Sequence, residues 1–183
     1  MVKKAALLTA VFAVCLATAA AAQERKDLQV FRDISDSVNR YTQFTIFDSI
    51  DASVTQGNVV LSGWVTMPYK KDDIERRVRK IAGIERLENH IQVLPVSQFD
   101  DELRFRIARA IYGNSAFWHY AAMVNPPIHI VVNGGRVTLQ GVVNSNVDRQ
   151  LARSLATGFG SFEVKNELKT DQEVAAELEK IGR

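Results

Sequence analysis

The sequence predicts an α+β protein made of two tandem small αββαβ sandwiches, each a three-stranded sheet covered on one face by two helices. Three observations carry this reading. The frame Val-x-Leu-x-Gly-x-Val runs from Val59 to Val65 and recurs from Val137 to Val143, 78 residues on. Upstream, Ile50, Ala52 and Val54 match Ile128, Ile130 and Val132 at the same offset. Downstream, Gly-x-x-x-[Leu/Val]-x-Asn-x-[Ile/Leu] spans Gly83 to Ile91 and Gly160 to Leu168, 77 residues apart. A near-constant offset over three blocks reads as a duplicated domain, and the period is too long for a solenoid unit.

In the first copy, Val30, Ile34, Val38 and Tyr41 stand at helical spacing, which places them on one face of a helix. Ile50, Ala52 and Val54 alternate as a half-buried strand does. Gln56-Gly57-Asn58 is a turn signal. Val59, Leu61 and Gly63 continue the alternation on the returning strand. Pro68 suits the first turn of a helix, whose stripe is Ile74, Val78, Ile81 and Ala82. Gly83 stops that helix in a left-handed cap, and Leu87 to Leu94 forms the last strand. The second copy repeats this order. Leu103, Ile107, Ala110 and Ile111 mark its first helix, Ile128 to Val132 its first strand, and Asn133-Gly134-Gly135 the turn. Val137 to Val143 returns, Val147, Leu151 and Leu155 mark the second helix, and Glu163 to Leu168 closes the unit. The expected organisation is a leader over 1–22, units over 27–95 and 99–170, and a charged helix or frayed tail over 171–183. The linker Pro95-Val96-Ser97-Gln98 is short, so the units are expected to touch.

Residues 1–22 read as a secretory signal. Lys3 and Lys4 form a positive start, Ala5 to Leu16 is uncharged and apolar, and Ala20-Ala21-Ala22 offers small residues for cleavage before Gln23. The apolar run is short for a membrane span. Cys15, the single cysteine, lies inside this run behind Val14 and reads as part of the signal core, not as an acylation site. The chain has 23 Lys and Arg against 21 Asp and Glu. Loss of Lys3 and Lys4 with the leader leaves the mature chain neutral, which argues against a nucleic-acid partner. The composition, 46% hydrophobic and 24% charged over 183 residues, is that of an ordinary folded protein.

The two strand frames followed by a helix and the Gly-x-x-x-[Leu/Val]-x-Asn-x-[Ile/Leu] segment resemble the BON domain family. Two such units behind a signal are similar to the osmotically inducible periplasmic protein Y group. The resemblance covers nearly all of residues 27–170. It implies a non-enzymatic periplasmic or envelope-associated protein with no cofactor. Its partners would be phospholipid surfaces or envelope proteins, and its role would be envelope integrity under osmotic stress.

Three kinds of residue call for a physical account. Gly63 and Gly141 are expected where a helix approaches the sheet closely. Asn89 and Asn166 stand in a strand, where asparagine is disfavoured, and are expected to hydrogen-bond a neighbouring loop. Trp64 falls off the core face where the second copy has Val142, and marks a candidate domain contact. The first helix of the second copy is the most informative for binding. With Leu103, Ile107 and Ile111 on the core face, Phe105, Arg109 and Tyr112 fall on the opposite side and Arg104 and Arg106 on the flanks. The cluster Phe117-Trp118-His119-Tyr120 follows in an expected loop. One reading is a lipid-facing edge in which Phe105, Tyr112, Phe117, Trp118 and Tyr120 sit at headgroup depth while Arg104, Arg106 and Arg109 meet anionic phosphates. The other is that this second apolar face packs on the first unit. A rival basic face is Arg76, Arg77, Arg79 and Lys80, with Asp72, Asp73 and Glu75 nearby, for which pairing along a solvated helix is the plain account. His90, His119 and His129 are far apart, His129 being placed on the solvent face of a strand. No metal site and no catalytic constellation is expected.

Overall fold

The computed structural model describes residues 26–181; the leader reading lies outside the described residues. The first unit begins with helix α1 over 26–39. Strands β1 (Ser49–Thr55) and β2 (Asn58–Val65), helix α2 (Pro68–Val78) and strands β3 (Arg86–Asn89) and β4 (Gln92–Val93) follow. The second unit has α3 (Gln98–Tyr112), a 3-10 turn over Ser115–Phe117, α4 (Trp118–Ala121), β5 (Ile128–Asn133), β6 (Arg136–Val143) and α5 (Asn146–Ala156). A 3-10 turn over Thr157–Phe159, β7 (Glu163–Asn166), β8 (Lys169–Thr170) and α6 (Asp171–Ile181) complete it. The fold is α+β.

Both sheets have the same topology. β2 lies between antiparallel β1 and parallel β3–β4, and β6 lies between antiparallel β5 and parallel β7–β8. Leu61 and Leu139 are fully buried at equivalent registers, opposite Ala52 and Ile130. The first core gathers Val30, Ile34 and Val38 of α1, and Tyr41 just past its end, with Val59, Leu61, Val65, Ile74, Val78 and Ile91. The second gathers Leu103, Ile107 and Ile111 with Ile128, Ile130, Leu139 and Val143.

Several local features repeat with the fold. Each antiparallel hairpin closes on two residues, Gln56-Gly57 and Gly134-Gly135, all with positive φ, as the tight turns that match strand twist require. In each, one carboxylate takes both turn amides. Asp27 binds those of Gln56 and Gly57, and Asp100 those of Gly134 and Gly135 at 2.8 Å each. The recurring asparagines explain why the third strand is broken in two. Asn89 Oδ1 accepts the Ile91 amide, and its Nδ2 donates to Glu75 on α2. Asn166 Oδ1 accepts the Leu168 amide, and its Nδ2 donates to the Arg149 carbonyl on α5. The side chain thus replaces a ladder bond and ties the strand to its helix.

Five expectations are corrected. Helix α2 ends at Val78 with Arg79 as its cap, so Gly83 lies in a turn beyond it and Ala82 is exposed. The close approach at Gly63 and Gly141 is made by the neighbouring strand segment, not a helix. A Cβ there would lie 2.1 Å from the Ser49 carbonyl oxygen and 1.9 Å from that of Pro127, and φ is +118° and +114°. The core face of α5 is Ala152 and Ala156, the counterparts of Ile74 and Val78; Val147 is exposed, while Leu151 and Leu155 are half-buried. The segment from Phe117 to Tyr120 is a 3-10 turn and a short helix, not a loop. His129 is not on a solvent face, because the first unit covers that side of β5.

That cover is the junction between units. The segment 42–48 reaches from α1 to β1 and lies along the outer edge of β5, where the Ile46 carbonyl accepts the Ile130 amide at 2.7 Å. Phe44 lies against the His129 ring at 5.3 Å, and Phe47 meets Phe105 edge-on at 5.1 Å while packing on the second core. Asn125 Nδ2 donates to the Asn39 carbonyl.

Candidate functional site

Helix α3 is started by Ser97, whose hydroxyl accepts the Asp100 amide. With Asp100 and Asp101 in its first turn it suits the positive end of the helix dipole. Its placement sorts the eight residues of the proposed edge into three groups. Arg104, Phe117 and Tyr120 are buried, at 4%, 0% and 1% exposure, so they do not form a surface. The Arg104 guanidinium donates to the Val132 carbonyl at 2.7 Å and pairs with Asp101. Phe117 is a core side chain. The Tyr120 hydroxyl accepts the Asn144 amide at 2.6 Å and donates to Asp148 at 3.0 Å. Tyr112 is half-buried, with its hydroxyl donating to the Ile128 carbonyl and accepting the Ile128 amide. Burial pushes the pKa of both tyrosines up, so they stay neutral.

Phe105, Arg106, Arg109 and Trp118 remain exposed. Phe105 is 61% exposed and meets Phe47 of the first unit edge-on. Arg106 pairs with Glu102 along the helix. Arg109 has no ion-pair partner among the described residues. Trp118 is 64% exposed, and the loop after α4 adds exposed Met123 and Val124. The arrangement offers an open, uncaged arginine and a large amphipathic ring, which suits adhesion to a surface and offers no convergent chemistry.

Two polar features escaped the sequence reading. In the first unit, the buried Asp48 carboxylate accepts from Lys70 Nζ at 2.6 Å and from the amides of Thr45 and Thr66. The second unit puts Tyr120 and Asp148 at this place, Asp148 being the counterpart of Lys70 at the 78-residue offset. An acid directly before β1 and a lysine on the first turn of α2 are the only sequence signal, and both look like surface charge. The second feature lies between α1 and α2. As expected of a solvated face, Arg76 pairs with Asp73 and Arg79 with Glu75. Arg77 does not pair along the helix but stacks 4.7 Å over the ring of Tyr41. The Tyr41 hydroxyl donates to Asp73 at 2.6 Å. This bond and Arg76 hold the Asp73 carboxyl below its usual range.

Among the described residues no cluster of three or more His, Cys, Asp or Glu side chains is placed to hold a metal ion. No described helix is long and apolar enough to cross a membrane.

The model of the BON domain family matches the chain twice, over residues 32–95 and 100–172. No curated protein matches. Among solved structures, the chain is similar to the C-terminal domain of CdsD, the structural protein of the type III secretion system of Chlamydia trachomatis. Identity is 15%, over 78% of this chain and 65% of that one, with a TM-score of 0.33. A second CdsD structure from the same organism is 13% identical over 82% of this chain and 97% of that one, with a TM-score of 0.29. The chain thus spans just under two thirds of the first of these structures.

Proposed function

The chain belongs to the BON domain family, and from that membership we propose that it is a non-enzymatic periplasmic protein that docks on anionic phospholipid surfaces through the α3–α4 edge of its second unit and supports the envelope under stress. The observation that carries this is the exposed Trp118 on the same unit as the exposed Arg109, which has no ion-pair partner among the described residues. Arg106, Phe105, Met123 and Val124 widen the edge. Each arginine near an anionic surface contributes about 1 kcal/mol, and burying one large apolar side chain adds roughly 1.5–3 kcal/mol. Docking is therefore weak and reversible, and it fades as salt rises.

Co-sedimentation with vesicles tests it. The chain pellets with phosphatidylglycerol vesicles at low salt and stays in solution with phosphatidylcholine. Trp118→Ala with Arg109→Ala weakens pelleting while the melting temperature holds. Unchanged pelleting of the double variant defeats the assignment of this edge. A second reading, an adaptor for envelope proteins, is favoured by the outer strands β3 and β7, which pair on one side only and so offer edges to an extended peptide. Absence of vesicle binding together with capture of an unfolded outer-membrane polypeptide selects it.

A further inference from the structure

The groove between α1 and α2 of the first unit is lined by Ser37, Tyr41, Asp73, Arg76, Arg77 and Lys80. Three cations face one carboxylate, and that carboxylate is already engaged by the Tyr41 hydroxyl and by Arg76. Arg77 is held over the Tyr41 ring, and Tyr41 is itself a core residue. Neither Arg77 nor Lys80 has an ion-pair partner among the described residues. A guanidinium fixed by stacking has less freedom to lose when it grips a planar or tetrahedral anion.

The second unit shows that the fold does not need this arrangement. α5 repeats α2 at an offset of 78 residues, with Ala152 and Ala156 buried where Ile74 and Val78 are buried. On that register Asp73, Arg76 and Arg77 become Leu151, Ser154 and Leu155, and both leucines pack against the second core. One copy closes this helix pair with apolar side chains. The other keeps it as an open groove lined by charge.

We propose that the α1–α2 groove of the first unit is a phosphate-binding site, with Arg77 and Lys80 as its anion ligands and the Ser37 hydroxyl as a further donor. The group bound is a phosphate mono- or diester, whether carried by a soluble metabolite or by a lipid headgroup. The site is separate from the α3–α4 edge and does not depend on it.

The test uses the full chain labelled with nitrogen-15, titrated at constant ionic strength with inorganic phosphate and glycerol 3-phosphate against chloride. Co-sedimentation with phosphatidylglycerol vesicles forms a parallel arm. The amides of Ser37, Tyr41 and Arg77 are expected to shift in a saturable manner. Arg77→Gln with Lys80→Gln weakens binding roughly tenfold or more, since two charge-assisted contacts are lost. Trp118→Ala with Arg109→Ala leaves soluble phosphate binding intact. Asp73→Asn, which removes the opposing charge and keeps an acceptor for Tyr41, tightens binding about threefold; a general loosening of the fold would not do so. Saturation by the soluble anions identifies a free phosphate ligand. Silence with both, but pelleting that Arg77→Gln with Lys80→Gln reduces, identifies a headgroup. If neither soluble anion perturbs the groove beyond chloride and vesicle binding ignores that pair, or if the pair binds as wild type in every arm, the site does not exist.

Discussion

Ile46 and Ile130 are joined by a backbone hydrogen bond of 2.7 Å that crosses from one unit to the other. It occupies an amide on the outer edge of β5 that would otherwise await a partner strand. Around it, Phe44 covers His129, and Phe47 sits on the second core against Phe105. The units therefore share a junction built by segment 42–48, and the short linker is not what holds them together.

The junction predicts coupling between Phe47 and Phe105. Edge-on aromatic pairs contribute about 0.5–1.5 kcal/mol beyond burial. A double-mutant cycle with Phe47→Leu and Phe105→Leu, read from chemical denaturation of the full chain, is expected to return a coupling in that range. Additive effects would mean that the two rings are neighbours without interaction.

Lys70→Met is expected to destabilise the first unit by about 3 kcal/mol or more. It leaves the Asp48 carboxylate buried without its cation, and breaking one partner of a buried pair costs this much. The melting transition of the first unit should fall while that of the second is retained. An unchanged transition would show that the amides and hydroxyls of Thr45 and Thr66 suffice to hold Asp48.

Gly141→Ala and Gly158→Ala should part company. The first places a methyl group 1.9 Å from the Pro127 carbonyl oxygen at a φ of +114°, and the second unit should lose its cooperative transition. At Gly158 nothing lies within 4 Å. Alanine there restricts the unfolded chain and is expected to add up to about 1 kcal/mol of stability. Equal effects at the two positions would contradict the strand register.

Burial lowers the pKa of His129, against raising effects from the backbones of Asp48 and Thr45 and the charges of Asp48 and Asp51. The folded form therefore resists protonation more than the unfolded chain does. Stability from the neutral ring is complete above the ordinary histidine value of 6.5 and is lost as pH falls from there towards the depressed folded value. The carboxyls held low in the fold, Asp73, Glu75, Glu167 and Glu173, add their own acid losses below the usual carboxylate range. Asp51, whose charge reaches His129, is instead pushed up by burial and loses stability as pH rises, so thermal melts between pH 7 and pH 5 isolate His129 when both chains compared carry Asp51→Asn. The melting temperature should drop over that window in Asp51→Asn alone and stay level in Asp51→Asn with His129→Gln. The same slope in both would place the titration elsewhere.

The sheets and the first helix faces were legible because alternation and helical spacing report burial directly. Leu61 and Leu139 fall where their frames put them, and so do Ile34, Ile107 and Ile74. Gly83 and Gly160 do take left-handed backbone, but Gly83 lies past α2, which closes at Arg79, and Gly160 caps the 3-10 turn Thr157–Phe159 and not α5. Helix α5 was misread since alanine carries little hydrophobic signal, so larger Val147 drew the stripe one face away. The edge on α3 was half legible. Wheel geometry placed Arg106 and Arg109 outside, but an arginine is long enough to turn inward, and Arg104 reaches the end of β5. His129 alternates as a surface residue does. What covers it comes from segment 42–48, whose irregular backbone carries no period that a sequence could display.

The borrowed ring of Phe47 also bears on assembly. A chain made from its amino end finishes its first sheet before any partner for that ring exists, and exposed apolar surface of this kind invites clumping. The later half therefore acts as the earlier one's lid, and products that stop near the linker would be sticky even when their own sheet is fully formed.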